Sequence, residues 1–61
     1  MIKICYIIIS PELLEAKAQE LYDLEVGFEK VDDRTFLLWG LDSSVRSKIV
    51  DMFPKKDRII Y

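Results

Sequence analysis

Apolar and polar positions change their period along the chain, and each change predicts a new element. Residues 2–9 form an apolar, β-branched run that carries one charge, Lys3, and this run predicts a first strand. Residues 11–23 then repeat apolar side chains at helical spacing. Ser10 can cap this helix and Pro11 fits its first turn. The chain therefore opens with a strand and an amphipathic helix.

The rest of the pattern predicts a hairpin, a second helix and a last strand. Two apolar stretches flank the turn-forming Asp32 and Asp33. Helical spacing then resumes, and Pro54 ends that helix. Residues 58–61 form a short β-prone segment, which predicts an edge strand. The predicted bounds are residues 26–31 and 34–40 for the hairpin strands, 44–53 for the helix and 58–61 for the last strand.

The order β-α-β-β-α-β predicts an α+β fold of the ferredoxin-like type over residues 1–61, as a single domain. That fold is a two-layer sandwich, with a four-stranded antiparallel sheet and two helices on one face. Its first and third strands are central. The strongly apolar residues 2–9 and 36–41 suit central positions, whereas residues 26–31 and 58–61 are mixed or short and suit edges.

The two central strands hold more apolar residues than are needed to cover one buried face of the sheet. A sheet with one face in water should alternate apolar and polar residues, and these strands do not. Gly40 favours one register, because a helix can approach it closely. That register points Cys5, Ile7, Ile9, Phe36, Leu38 and Gly40 at the helices, although the opposite register stays open. The predicted interface residues, pointing away, are then Ile4, Tyr6, Ile8, Leu37 and Trp39.

The size of the chain favours a partner. A chain of 61 residues buries only about 60% of its unfolded surface and usually needs added stabilisation. Cys5 is the single cysteine and there is no histidine, so an internal disulfide or a structural zinc site is not expected. We therefore expect a homodimer, and contact with another protein as well. No cofactor, metal or membrane partner is expected, and the absence of a signal-peptide pattern predicts a cytoplasmic protein.

Charge is divided unevenly along the chain. The net charge is −2, but residues 1–33 hold eight acidic and three basic residues, a net −5, and residues 34–61 hold three acidic and six basic residues, a net +3. Two interpretations stay open. The two signs mark either two solvated faces or a dipolar surface that orients a partner or a second copy.

RNA binding is the first alternative function. The predicted topology resembles that of the RNA-recognition motif, which stacks bases on aromatic residues of its two central strands, here Tyr6, Phe36 and Trp39. The chain departs from that family because the third strand lacks the Gly-aromatic-Gly-aromatic pattern and the overall charge is acidic. Nucleic acid is therefore not expected as the partner. The candidate nucleic-acid-binding residues would be Arg46, Lys48, Lys55, Lys56 and Arg58.

A small metal-dependent enzyme subunit is the second alternative. Asp32 and Asp33 are adjacent acids, but a solvated hairpin turn explains them, and Cys5 is expected to be a small buried hydrophobe. No catalytic or metal-binding residue is assigned. The sequence thus predicts a non-enzymatic protein-interaction module. Small chains of this kind act as inhibitors, adaptors or regulatory proteins, and phage-encoded inhibitors of host or defence proteins are one such class.

Overall fold

The chain folds into a small α+β domain with a four-stranded antiparallel sheet and three α-helices. The computed structural model describes residues 1–61, apart from the side chain of Asp57. The elements in chain order are β1 (Ile2–Ile8), α1 (Pro11–Ala16), α2 (Ala18–Asp23), β2 (Gly27–Lys30), β3 (Thr35–Gly40), α3 (Val45–Met52), a 3₁₀ turn (Lys55–Asp57) and β4 (Ile59–Ile60).

The sheet has the strand order β2-β3-β1-β4, and all neighbouring strands are antiparallel. The apolar strands β1 and β3 are therefore central, and the mixed or short strands β2 and β4 form the edges. The pairing of β4 continues into the last residue, since Tyr61 and Tyr6 exchange backbone hydrogen bonds of 2.7 and 3.0 Å. The C-terminus is thus fastened to the middle of β1.

The hydrophobic core lies between one face of this sheet and the three helices. The sequence predicted that six residues of the central strands face the helices, and all six are buried there or, for Gly40, against α3. Helices α1 and α2 contribute Leu14 and Leu21, and α3 contributes Val45 and Ile49. The helices therefore leave the opposite sheet face uncovered.

The first predicted helix is divided in two at Lys17. Its backbone leaves the helical region there, with φ −100° and ψ 2°, and its N–H is shared between the carbonyls of Leu13 and Leu14 at 3.1 Å each. Shared bonds of this kind are usual at helix ends. The chain consequently has three α-helices where the apolar pattern predicted two, although Leu14 and Leu21 still reach the same core.

A β-bulge in β1 overturns the orientation predicted for one residue, Ile4. Lys3 pairs with Trp39 and Cys5 with Leu38, so that Ile4 is an extra residue with no partner in β3. The side chain of Ile4 packs against the core, and its Cγ1 would lie 3.1 Å from a Cβ placed on Gly40. The prediction that Ile4 points away from the helices is therefore wrong, because the bulge changes the alternation at this point.

Candidate interaction surface

The sheet face that carries no helix is the candidate interaction surface, and we call it the open face. Directly paired residues on neighbouring strands point to the same side of a sheet, so the pairings define its members. They are Lys3, Tyr6, Ile8, Glu29, Val31, Thr35, Leu37, Trp39, Ile59 and Tyr61.

Leu37 lies at the centre of the open face, between Tyr6 on one side and Glu29 on the other. Only 5% of its surface is exposed, yet it does not belong to the core beneath the helices. Its larger neighbours therefore cover it within a single chain. Leu37 points to the predicted side, but it is too buried to supply contact area to a partner.

Two ring contacts organise the rest of the open face. The rings of Tyr6 and Tyr61 stack, with their centroids 5.5 Å apart and their planes inclined by 18°. The Lys3 ammonium lies 5.7 Å from the centroid of the Trp39 ring, which is within cation–π distance. Tyr6 and Trp39, which take part in these contacts, are half-buried, and so is Ile8. The aromatic rings thus stabilise the face internally and are already partly covered.

The most exposed apolar residues of the open face are on its β4 edge. Ile59 is 60% exposed and Tyr61 is 61% exposed. Sequence reasoning did not assign these two residues to the surface, although it predicted the strand that holds them. The signal that could have found them is the pairing of the last strand with β1, which places Ile59 beside Ile8 and Tyr61 beside Tyr6.

The structure does not gather the predicted basic residues into one patch. Arg46 and Lys48 are exposed on α3, on the side of the sheet opposite the open face, and Lys55 is exposed in the 3₁₀ turn. Arg58 is half-buried, and its guanidinium donates hydrogen bonds to the carbonyls of Phe53 at 3.1 Å and Val50 at 3.4 Å. Arg58 therefore caps the C-terminal end of α3.

A groove of about 700 Å³ opens where β1 and α1 meet the starts of β3 and β4. Of the predicted basic residues, it brings together Lys56 and Arg58. It adds Arg34, which sequence reasoning had placed only at the start of a strand. We call it the basic groove. The side chains that line it are Ile8, Ser10, Leu13, Arg34, Lys56, Arg58 and Ile59.

Of the two carboxylates singled out as metal candidates, that of Asp32 has a role in the hairpin turn. The Asp32 carboxylate accepts the N–H of Arg34 at 3.0 Å and that of Thr35 at 2.8 Å, and these hydrogen bonds lower its pKa, the bond from Arg34 first and those from Thr35 after it. Hydrogen bonds from the hydroxyl and N–H of Ser44 lower the pKa of Asp42 in the same way. Among the described residues, no three acidic or cysteine side chains converge on a point that suits a metal ion.

Cys5 is buried in the core, as the sequence predicted for a small hydrophobe. Burial raises the pKa of its thiol, and the charge of Arg46 opposes this shift to a smaller extent. A thiol with a raised pKa is a poor nucleophile, because the thiolate is the reactive form. The arrangement therefore supports packing as the role of Cys5.

No protein-family model matches the chain, and neither curated proteins nor solved structures give a significant match. Within the described part of the chain, every helix is too short or too polar to cross a bilayer.

Proposed function

We propose that this chain is a protein-interaction module that forms a homodimer through its open face. The observation that carries the proposal is an apolar face left uncovered by the three helices, with Ile59 and Tyr61 mostly exposed on it. Contiguous exposed apolar surface of this kind marks interaction sites in soluble proteins. In this proposal the chain acts by contact, as an inhibitor, adaptor or regulatory protein does, in the cytoplasm.

The dimensions of the domain support a face-to-face dimer. Its extents are 24 × 21 × 20 Å, so one whole face is about a sixth of the surface of the chain, which is 4101 Å². Two such faces together amount to roughly 1,400 Å², within the range of about 1,200–2,000 Å² that stable interfaces bury. A second copy is thus large enough to cover the face, and no larger partner is needed.

The charges on the open face also favour a second copy. The face carries one basic and one acidic side chain, Lys3 and Glu29, on opposite sides of the central apolar residues. A two-fold interface brings the same patch of both copies together. Because the face is neutral overall, two copies meet without the repulsion that a face of one sign would produce.

For the architecture, we infer a ferredoxin-like βαββαβ sandwich whose first helix is interrupted. The support is the strand order β2-β3-β1-β4 with antiparallel neighbours, together with helices packed on one face only. The break at Lys17 and the short 3₁₀ turn are then local variations within the two crossover connections.

RNA binding receives less support from the geometry of the open face. The faces of Tyr6 and Tyr61 are turned toward each other, and Lys3 lies over Trp39. Base stacking needs ring faces that are free to accept a base. Arg46 and Lys48 lie on the helical side, where they cannot neutralise a strand bound across the open face.

The experiment compares the molar mass of three proteins by light scattering. The double variant Ile59→Ser/Tyr61→Ser removes the most exposed apolar surface of the open face. Tyr22→Ser is the matched control, because Tyr22 is 81% exposed but lies on α2. We expect a dimer for the wild type and the control, and a monomer with an unchanged circular dichroism spectrum for the double variant. A wild-type monomer, or a double variant that stays dimeric, would contradict the proposal.

A further inference from the structure

We propose that the basic groove is a binding site for a small organic phosphate of about nucleotide size. This inference goes beyond the proposed dimer, because the three cations of the groove lie outside the open face. Ile8 and Ile59 belong to both surfaces, so the groove opens at the rim of the open face. Arg34 and Lys56, which bind the phosphate in this proposal, are not residues of the open face.

The charge of the groove selects an anion. Arg34, Lys56 and Arg58 contribute three positive charges to one concavity, and none of the described side chains that line it is acidic. Phosphate carries up to two negative charges as a monoester and accepts several charge-assisted hydrogen bonds. Arginine suits this task because its planar fork matches the phosphate oxygens, and lysine adds a compact charge. A phosphate therefore matches the groove better than a single carboxylate does.

Arg58 gives the site a cation that is held in place before any ligand arrives. Its Nε and one Nη2 hydrogen are engaged with the carbonyls of Phe53 and Val50 at the end of α3. A guanidinium has five N–H donors, so three remain for another acceptor. Binding groups that are already ordered lose less conformational entropy when the ligand binds, which increases affinity. Arg58 thus anchors the site, while Arg34 and Lys56 can close on the ligand.

The remaining walls of the groove define the rest of the ligand. Ile8, Leu13 and Ile59 add apolar surface to the walls of the groove. Ser10 accepts the N–H of Leu13 at 3.2 Å, and its own hydroxyl hydrogen remains a donor. A volume of about 700 Å³ falls within the range of roughly 300–1,000 Å³ that small-molecule sites occupy. The combination fits a molecule that carries both a phosphate and an apolar or planar group.

The test uses adenosine 5′-monophosphate as the probe. Its binding is measured by NMR titration, from the shifts of the backbone amide signals of the full chain. Inorganic phosphate and adenosine are titrated separately. We expect the monophosphate to shift the amides of Ile9, Arg34 and Ile59, inorganic phosphate to bind more weakly, and adenosine to bind weakest. Arg34→Gln and Lys56→Gln should each weaken binding about tenfold, as expected for one lost charge-assisted contact.

Lys48→Gln is the matched control, because Lys48 is an exposed basic residue on α3, outside the groove. It should leave the affinity unchanged. The proposal is overturned if the monophosphate produces no shifts at millimolar concentration, or if Lys48→Gln weakens binding as much as the groove variants do. It is also overturned if a single-stranded oligonucleotide binds while the monophosphate does not, since that result indicates phosphates recognised along an extended strand.

Discussion

At the scale of single residues, Gly40 lies where a side chain would be crowded by Ile4 of the neighbouring strand β1. A Cβ at this position would lie 3.1 Å from Cγ1 and 3.3 Å from Cδ1 of Ile4, and 3.5 Å from Cβ of Val45. Val45 belongs to the packed core and Ile4 packs against it, so neither side chain has much room to give way. We therefore expect Gly40→Ala to lower the free energy of unfolding by about 1–3 kcal/mol, the usual cost of overpacking, in urea denaturation.

Gly27→Ala is the control for that substitution, because a Cβ there would meet only the flexible end of Met1 at 3.9 Å. We expect it to be neutral or to stabilise by up to about 1 kcal/mol, since glycine weakens a strand. Adding Ile4→Val to Gly40→Ala should recover part of the lost free energy of unfolding, because valine lacks the Cδ1 atom of Ile4. Equal stability of Gly40→Ala and the wild type would show that the contact is looser than the structure indicates.

Asp32 should make stability depend on pH in the acid range. Its carboxylate accepts the N–H groups of Arg34 and Thr35 in the folded chain, so its folded pKa lies below the ordinary value of 3.8. The ionised form therefore stabilises the fold above that value, and the contribution is lost as the pH falls through the folded pKa. We expect Asp32→Asn to melt at a lower temperature than the wild type at neutral pH, with the difference disappearing in strong acid.

The neighbouring substitution Asp33→Asn serves as the control, because the two N–H groups of this turn bind Asp32. It should melt at the wild-type temperature at neutral pH. A difference between Asp32→Asn and the wild type that persists at low pH would point to lost packing or turn geometry and not to the ionised carboxylate.

Single residues of β1 and β3 show where the alternation of apolar and polar positions predicts side-chain orientation and where it does not. Alternation correctly identified Cys5, Ile7 and Leu38 as helix-facing, because side chains in a strand take opposite sides in turn. It failed for Ile4, since a bulge adds a residue that no alternation pattern contains. It also could not predict the burial of Leu37, which depends on neighbours from other strands.

At the scale of elements, α2 ends in a conformation that its sequence does not favour. Glu25 has φ 58°, in the left-handed region, and follows the helix at the position where glycine is usual. The N–H of Val26 donates to the carbonyl of Leu21 at 2.9 Å, and that of Glu25 to the carbonyl of Tyr22 at 3.0 Å. These two bonds form a Schellman motif, which satisfies carbonyls that the helix leaves free.

Glu25→Gly should therefore stabilise the protein. A residue with a Cβ costs roughly 1–2 kcal/mol in the left-handed region, and glycine removes most of that cost. We expect thermal unfolding to show a gain of about 1 kcal/mol. Glu29→Gly is the opposite control, because it places glycine within strand β2 and should destabilise. A loss of stability in Glu25→Gly would mean that the glutamate side chain makes a stabilising contact.

The elements themselves were largely predictable, and their ends were not. Apolar periodicity predicted all four strands and the region of each helix, because the core imposes it on one face of every element. The end of α2 has no glycine to mark it, and the break at Lys17 has no proline or glycine. Neither boundary therefore carries one of the residues that usually mark a helix end.

At the scale of the whole molecule, the helices are enough to cover one side of the sheet and no more. The sequence predicted this surplus from two apolar central strands in a chain of 61 residues. It did not predict that Ile59 and Tyr61 supply the most exposed part of the open face, or that Arg34 joins Lys56 and Arg58 in one groove. Both results depend on strand pairing between residues that are far apart in the chain.

The central claim is that the open face binds the same face of a second copy. It is tested most directly by NMR on an equimolar mixture of isotope-labelled and unlabelled chains, filtered for contacts between the two. We expect intermolecular contacts that join the side chains of Ile8, Trp39, Ile59 and Tyr61. Intermolecular contacts confined to the helical side, or none at a concentration where the mass is twice 7.2 kDa, would contradict the claim. A mass that stays at one chain would contradict it as well.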